Sequence, residues 1–195
     1  MTRYLPTLVL LDCQRESLEP GEGEDDGSNG AVADRIRRLL TSARLSGWPI
    51  LHCQYQSNRP AINCGLTVPG APIDGLRPLS REAVFIRTGL SAYSDPDFGR
   101  MVRHYAGPPC FLVGFSAPFS LMATMFDAVA RGQQLTVIPE AVGGRAVGLR
   151  SASSVRDISF DLIDRLSSTM PLDDVVETWL RSPTAPTLKT IGIGR

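Results

Sequence analysis

Histidine, cysteine and net charge are all scarce in this chain. There are two histidines, His52 and His104, and four cysteines, Cys13, Cys53, Cys64 and Cys110. No two cysteines form a C-x-x-C pair and the histidines lie far apart in sequence, so a zinc site has no ligand cluster to be built from. Twenty Lys plus Arg are balanced by twenty Asp plus Glu, a formal net charge of zero. That balance removes the electrostatic case for nucleic acid or an acidic membrane as partner. No apolar run approaches the ~20 residues needed to cross a bilayer. The opening stretch, MTRYLPTLVLLDCQ, carries one Arg and a short apolar run stopped by Asp12. It reads as a buried strand rather than a secretory signal, and a cytoplasmic protein is expected. Cys13, Cys53 and Cys110 sit in or beside apolar runs and read as buried, reduced thiols.

What the chain does have is the composition of a globular domain: 43% hydrophobic and 21% charged residues over 195 positions. Neither a repeat nor a linker divides it, so residues 1–195 are expected to form a single domain. PTLVLLDC (6–13) is a continuous apolar run, as in a parallel strand buried on both faces. Further strands are read at 48–55, 82–89, 109–115 and 134–142. AVADRIRRLLTSARLSG (31–47) puts Val32, Ile36, Leu39, Leu40 and Ala43 on one helical face and ends at Gly47. A short helix is expected at 95–106, and longer ones at 120–132 and 154–168. Residues 15–30, rich in Gly and acid, read as a flexible loop placed to act as a lid. Residues 56–80 read as irregular, 171–180 as short and mixed, and 181–195 as a C-terminal tail. Strands alternating with helices predict an α/β fold, a three-layer α/β/α sandwich around a mostly parallel sheet.

In open parallel sheets ligands bind beyond the carboxyl ends of the strands. Three polar residues reach that edge: Asp12 closes the first strand, Arg87 the third, and Ser120 follows the fourth. Singly, each has an ordinary alternative. Asp12 also reads as a turn cap, Arg87 as a surface charge, and Ser120 as a helix-start hydroxyl bonded to backbone N–H groups. Pro118 suits a first helical turn. The amides from Phe119 onward are then expected to be free beside a helix N-terminus, a place that favours an oxyanion.

These residues, in this order, resemble the isochorismatase-like hydrolases, also called the cysteine hydrolase superfamily. LVLLDCQ resembles the first strand with its D-x-Q signature, and LSGWPILHCQ the helix exit and second strand. PIDGLRPLSREAVFIRTGLSAYSDPDFGRMV is similar to the stretch that holds the family lysine. CFLVGFSAPFSLMATMFDAVARGQQLTVIPEAV is similar to the nucleophile region. The resemblance runs from about residue 6 to about residue 180 and implies a triad of Asp, Lys and Cys. Asp12 falls on the aspartate position, but Arg87 stands at the lysine position and Ser120 at the cysteine position. A serine needs a competent base, and a guanidinium stays protonated and cannot be one.

The resemblance implies a small amide, carbamoyl, ester or vinyl-ether substrate, with Ser120 as nucleophile or oxyanion-site hydroxyl. Asp12 would then be the proton shuttle and Arg87 the clamp for an anionic group. Gln14, Tyr93, Phe115, Ser116 and Phe119 are the expected substrate contacts. Gln54 and Gln56 stand where some relatives carry metal ligands, and His52 reads as a packed or hydrogen-bonded residue, so neither metal nor cofactor is expected. The family's habit of assembling implies a homo-oligomer, with Trp179 and Leu180 as a subunit contact. Two other readings remain open: a catalytically silent member that binds a metabolite or protein partner, and non-hydrolytic chemistry in the same pocket.

Overall fold

A computed structural model describes residues 5–19, 28–56 and 70–180. Its centre is a six-stranded parallel sheet of order β3-β2-β1-β4-β5-β6. The strands are β1 (Thr7–Leu11), β2 (Ile50–Tyr55), β3 (Ala83–Arg87), β4 (Cys110–Gly114), β5 (Thr136–Val142) and β6 (Ser168–Thr169). The first five match the expected runs. The sixth, two residues long, has too little sequence to carry a pattern and exists because Thr136 and Val137 of β5 present a free edge to it.

Alternation along β1 explains the layers. Leu8 and Leu10 face one side, where they pack with Val32, Ile36 and Leu40 of helix α1 (Ser28–Leu45) and Val175 of α5 (Leu172–Val175). Val9 and Leu11 face the other side. There they meet Phe98 and Val102 of α2 (Pro96–His104), Met122 and Met125 of α3 (Met122–Ala130) and Ile163 of α4 (Ala152–Leu166). Every residue of β1 is buried, as a central strand covered on both faces requires.

One expectation changes. The segment read as a loop over 15–30 contains a 3-10 turn at Arg15–Leu18, and α1 already begins at Ser28. Residues 20–27 lie outside the described residues, as do Cys64 and the 181–195 tail. Trp179 and Leu180 are half-buried and pack on the chain's own α1-side core. His52 is buried in β2 and meets Glu82 at 2.9 Å, while Arg44 grips the same carboxylate at 2.7 and 2.8 Å.

Candidate active site

The sheet order places β1 and β4 side by side at its centre, with the chain crossing from one half to the other between β3 and β4. In such sheets the crevice at this switch point takes the ligand. Leu11 pairs with Gly114 at the carboxyl end of these two strands. Gly114 has φ +125°, and a Cβ there would lie 2.0 Å from the Leu11 carbonyl oxygen, so only glycine lets the strands meet this closely. The chain then turns through Phe115 and Ser116, whose peptide is cis, into a π-helical turn at Ala117–Leu121 that continues as α3.

Asp12 follows β1 with φ +48°, an uncommon conformation that Asp tolerates better than most residues. Its amide donates to Cys53 O at 2.8 Å, and its carbonyl accepts from Gln14 N at 2.7 Å and from Ser17 Oγ at 2.9 Å. The backbone is fixed on both sides, so the carboxyl group projects over the end of the sheet. Ser120 Oγ donates to Asp12 Oδ2 at 2.6 Å and accepts from Arg87 Nη2 at 2.8 Å. Arg87 also pairs with Asp12 Oδ2 and donates to Gly89 O. Asp12 Oδ1 and Arg87 Nε are buried without a hydrogen-bond partner.

The three groups named from sequence therefore meet, but not in the expected roles throughout. Arg87 is 1% exposed, lies beneath Asp12 and Ser120 beside the Tyr55 ring (5.2 Å to the centroid), and does not line the cavity above them. It holds the carboxylate and the hydroxyl and is too deep to clamp a substrate. Burial pushes the Asp12 carboxyl up from 3.8 to about 6, against the opposing pull of Arg87 and the Ser120 hydrogen bond.

That cavity holds about 180 Å³ and is lined by Asp12, Ser120, Phe115, Ser116 and Phe119 on one side. Glu16, Ser17, Tyr55, Leu90, Gly144 and Arg145 complete it. Two expected substrate contacts lie elsewhere. Gln14 is buried and spends its amide on backbone: Nε2 donates to Tyr55 O and Gly70 O at 3.0 Å each, and Oε1 accepts from Tyr55 N at 2.8 Å. It stitches β1 to β2. Tyr93 packs edge-on against Phe98 beneath the Arg131 guanidinium, which takes it into the α2–α3 layer. The amides of Phe119 and Leu121 both donate to Ser116 O, at 3.3 and 3.2 Å, because a π turn closes on that carbonyl. They are not the free donors that a plain helix start would leave.

Sequence reasoning missed Glu16 and Arg145. Both come from irregular segments in which no periodicity marks a side chain as facing a cleft. Among the described residues no group of three or more His, Cys, Asp or Glu side chains could hold a metal ion, and no helix is long and apolar enough to cross a membrane.

A secreted isochorismatase effector, Isc1, from Verticillium dahliae is 26% identical over 172 residues, covering 86% of this chain and 88% of the relative. An isochorismatase from Pseudomonas putida superimposes with a TM-score of 0.77 at 22% identity, over 86% of this chain and 88% of that one. N-carbamoylsarcosine amidase from Thermoplasma acidophilum does so with a TM-score of 0.68 at 18% identity, over 87% and 97%. At such identities these structures speak for the fold alone. The isochorismatase domain matches residues 6–159, from β1 into α4, and the chain belongs to that family.

Proposed function

We propose that this chain is a small-molecule hydrolase in which Ser120 attacks an acyl or carbamoyl carbon while Asp12 takes and returns the serine proton. The observation that carries this reading is the 2.6 Å hydrogen bond from Ser120 Oγ to Asp12 Oδ2 at the floor of a cavity. A carboxyl group with a pKa near 6 is a stronger base than an ordinary aspartate and is still mostly ionised at neutral pH. Arg87 keeps that carboxylate in place and shares its charge with the hydroxyl oxygen. The chemistry as written calls on neither metal nor cofactor.

The cavity volume, about 180 Å³, equals roughly six waters at ~30 Å³ each, which favours a compact amide, carbamoyl compound or ester. Exposed Arg145 at its wall is the cation available to an anionic substrate group, the part first read into Arg87. A vinyl ether would need its carbon protonated by Asp12 and water added to the resulting oxocarbenium ion, which then expels the alcohol. Exposed apolar side chains on two helices that pack together, Phe126 and Val129 of α3 and Ile158 and Leu162 of α4, are where we place self-association. The chain's own chemistry supports a cytoplasmic setting only through its reduced, buried thiols.

One observation favours a second reading, a silent pocket that binds a metabolite. The hydrogen bond from Arg87 to Ser120 Oγ draws on the oxygen's lone pair, and arginine cannot relay a proton as lysine can. Intact-mass measurement after exposure to activated esters and carbamoyl electrophiles separates the two. Hydrolysis predicts an adduct that disappears in both Ser120→Ala and Asp12→Asn. An absence of adduct, with amide, carbamoyl and vinyl-ether panels untouched while a metabolite raises Tm, would establish the silent pocket.

A further inference from the structure

Glu16 stands on the 3-10 turn after β1 and lines the same cavity as Asp12 and Ser120. Its side chain is half-buried at the wall of that cavity. Its position is fixed by a neighbour. Asn29 Nδ2 donates to Ser17 O at 2.9 Å and to Gly144 O at 3.1 Å, while Asn29 Oδ1 accepts from Gly144 N at 3.2 Å. One side chain from α1 thus ties the Glu16 turn to the loop that carries Arg145. Arg145 closes the tie by donating from Nη2 to Glu16 O at 3.2 Å. A serine hydrolase cycle takes a proton from the serine and delivers one to the leaving atom, and the Arg87 guanidinium, which stays protonated, can do neither.

We propose that Glu16 is a second catalytic residue of the cleft, the group that protonates the leaving atom and later takes a proton from the hydrolytic water. This rests on the Ser120 reading above. The Ser120 Oγ–carbon bond forms as the hydroxyl proton passes to Asp12. The bond from carbon to the leaving nitrogen or oxygen breaks as Glu16 gives that atom its proton. Water then bonds to the acyl carbon as its proton passes to Glu16. The carbon–Oγ bond breaks last, and Asp12 returns its proton to Ser120. Net, one water is consumed and both carboxyl groups regain their starting states.

Burial raises Glu16 from 4.5 to about 7, with Arg145 opposing and the negative charges of Asp12 and Glu19 adding to the rise. Asp12, nearer to Arg87, titrates lower, at about 6. Both carboxyl groups are thus raised toward neutral pH, the range in which one can serve as base and the other as acid.

The test is a time course of intact mass with the full chain and p-nitrophenyl acetate, whose leaving group departs without protonation. Wild type should acylate on Ser120 and clear. Glu16→Gln should still acylate on Ser120 and clear at least about tenfold more slowly, the lower range for loss of a general base. Glu16→Asp should recover part of the clearance. The wild-type clearance rate should rise with pH through about 7, and this limb should shift in Glu16→Asp. Clearance by Glu16→Gln at the wild-type rate overturns the role of Glu16 and leaves the Ser120 reading standing. So does an unshifted limb in Glu16→Asp, a readout that serves even if Glu16→Gln does not fold. Absence of acylation in the wild type overturns the Ser120 reading, and the role of Glu16 with it.

Discussion

Ser120 and Asp12 are 108 residues apart in the chain and 2.6 Å apart in space. Sheet order alone makes that possible, because β1 and β4 become neighbours only after the chain has gone out through β2 and β3 and crossed back. Arg87 comes from β3, on the far side of β2, and its length lets it pass the Tyr55 ring to reach both groups. A shorter cation at that position would stop short of one of them. The guanidinium thus holds two groups at once and, being permanently protonated, gives up no proton.

Gly114→Ala should break the approach on which the Ser120–Asp12 contact depends. The added methyl would overlap the Leu11 carbonyl, on backbone that cannot swing aside, at a φ that L side chains avoid. A cost of about 3 kcal/mol or more is expected, in the range of strain at a special backbone position combined with overpacking. Thermal melts should show a clear drop in Tm. An alanine variant as stable as wild type would mean that β1 and β4 sit farther apart at this end.

Arg87→Met should destabilise the protein chiefly where Asp12 is charged. Removing one partner of a buried ion pair strands the other, typically at a cost of about 3–5 kcal/mol. The carboxyl pKa would then rise further, so the loss should be full at about pH 8 and much smaller at about pH 5. Urea unfolding at both values checks this. Arg87→Lys should fall between, since one ammonium cannot reproduce the fork onto Asp12, Ser120 and Gly89. Equal losses at the two pH values would show that the guanidinium acts by packing alone.

Much of this fold could be read from the chain because its signals are local. The unbroken apolar run at 6–13 implied a strand covered on both faces, and the 3.6-residue stripe of α1 implied the layer that covers one of them. Asp12, Arg87 and Ser120 could be named because each follows a strand, and strand ends converge. Side-chain direction in turns could not be read. Gln14 turns sideways to pair with Tyr55 because β2 outruns β1 there and has no β1 backbone beside it, and Tyr93 turns inward because Phe98 and Arg131 sandwich it. Glu16 and Arg145 face the cleft only because Asn29 draws their two segments together across more than a hundred residues. No pattern in either segment records that.

Asp12 should make the protein's stability fall as pH rises. Its folded carboxyl binds a proton more tightly than the unfolded one, at about 6 against 3.8, so protonation favours the fold. The contribution is full below about 3.8 and is lost as pH climbs through about 6. Wild type should therefore lose stability relative to Asp12→Asn between about pH 4 and pH 7, as measured by urea midpoints. Glu16 titrates upward in the same way, and because the Asp12 charge adds to that rise, Asp12→Asn reduces it too, which enlarges the difference with the same sign. A flat difference would mean that Arg87 fully offsets the desolvation of Asp12.

Ser120→Cys should give the chain a thiol unlike any it now has. Burial holds the thiols of Cys13 and Cys53 well above the ordinary range and that of Cys110 at about 12, so all three stay protonated and unreactive at neutral pH. A sulfur at position 120 would face the cavity beside the Arg87 guanidinium, which favours the thiolate, while ionised Asp12 pulls the other way. With Cys64→Ser in the background, iodoacetamide followed by peptide mass mapping should find the introduced thiol labelled at least about tenfold faster than the buried three. The rate should also drop on adding Arg87→Met, since the cation that stabilises the thiolate is gone. Labelling no faster than at Cys110 would mean that position 120 is closed to a small electrophile, in which case a substrate could not reach the serine oxygen either. Fast labelling indifferent to Arg87 would leave the cavity open but assign the activation of its nucleophile to Asp12 alone.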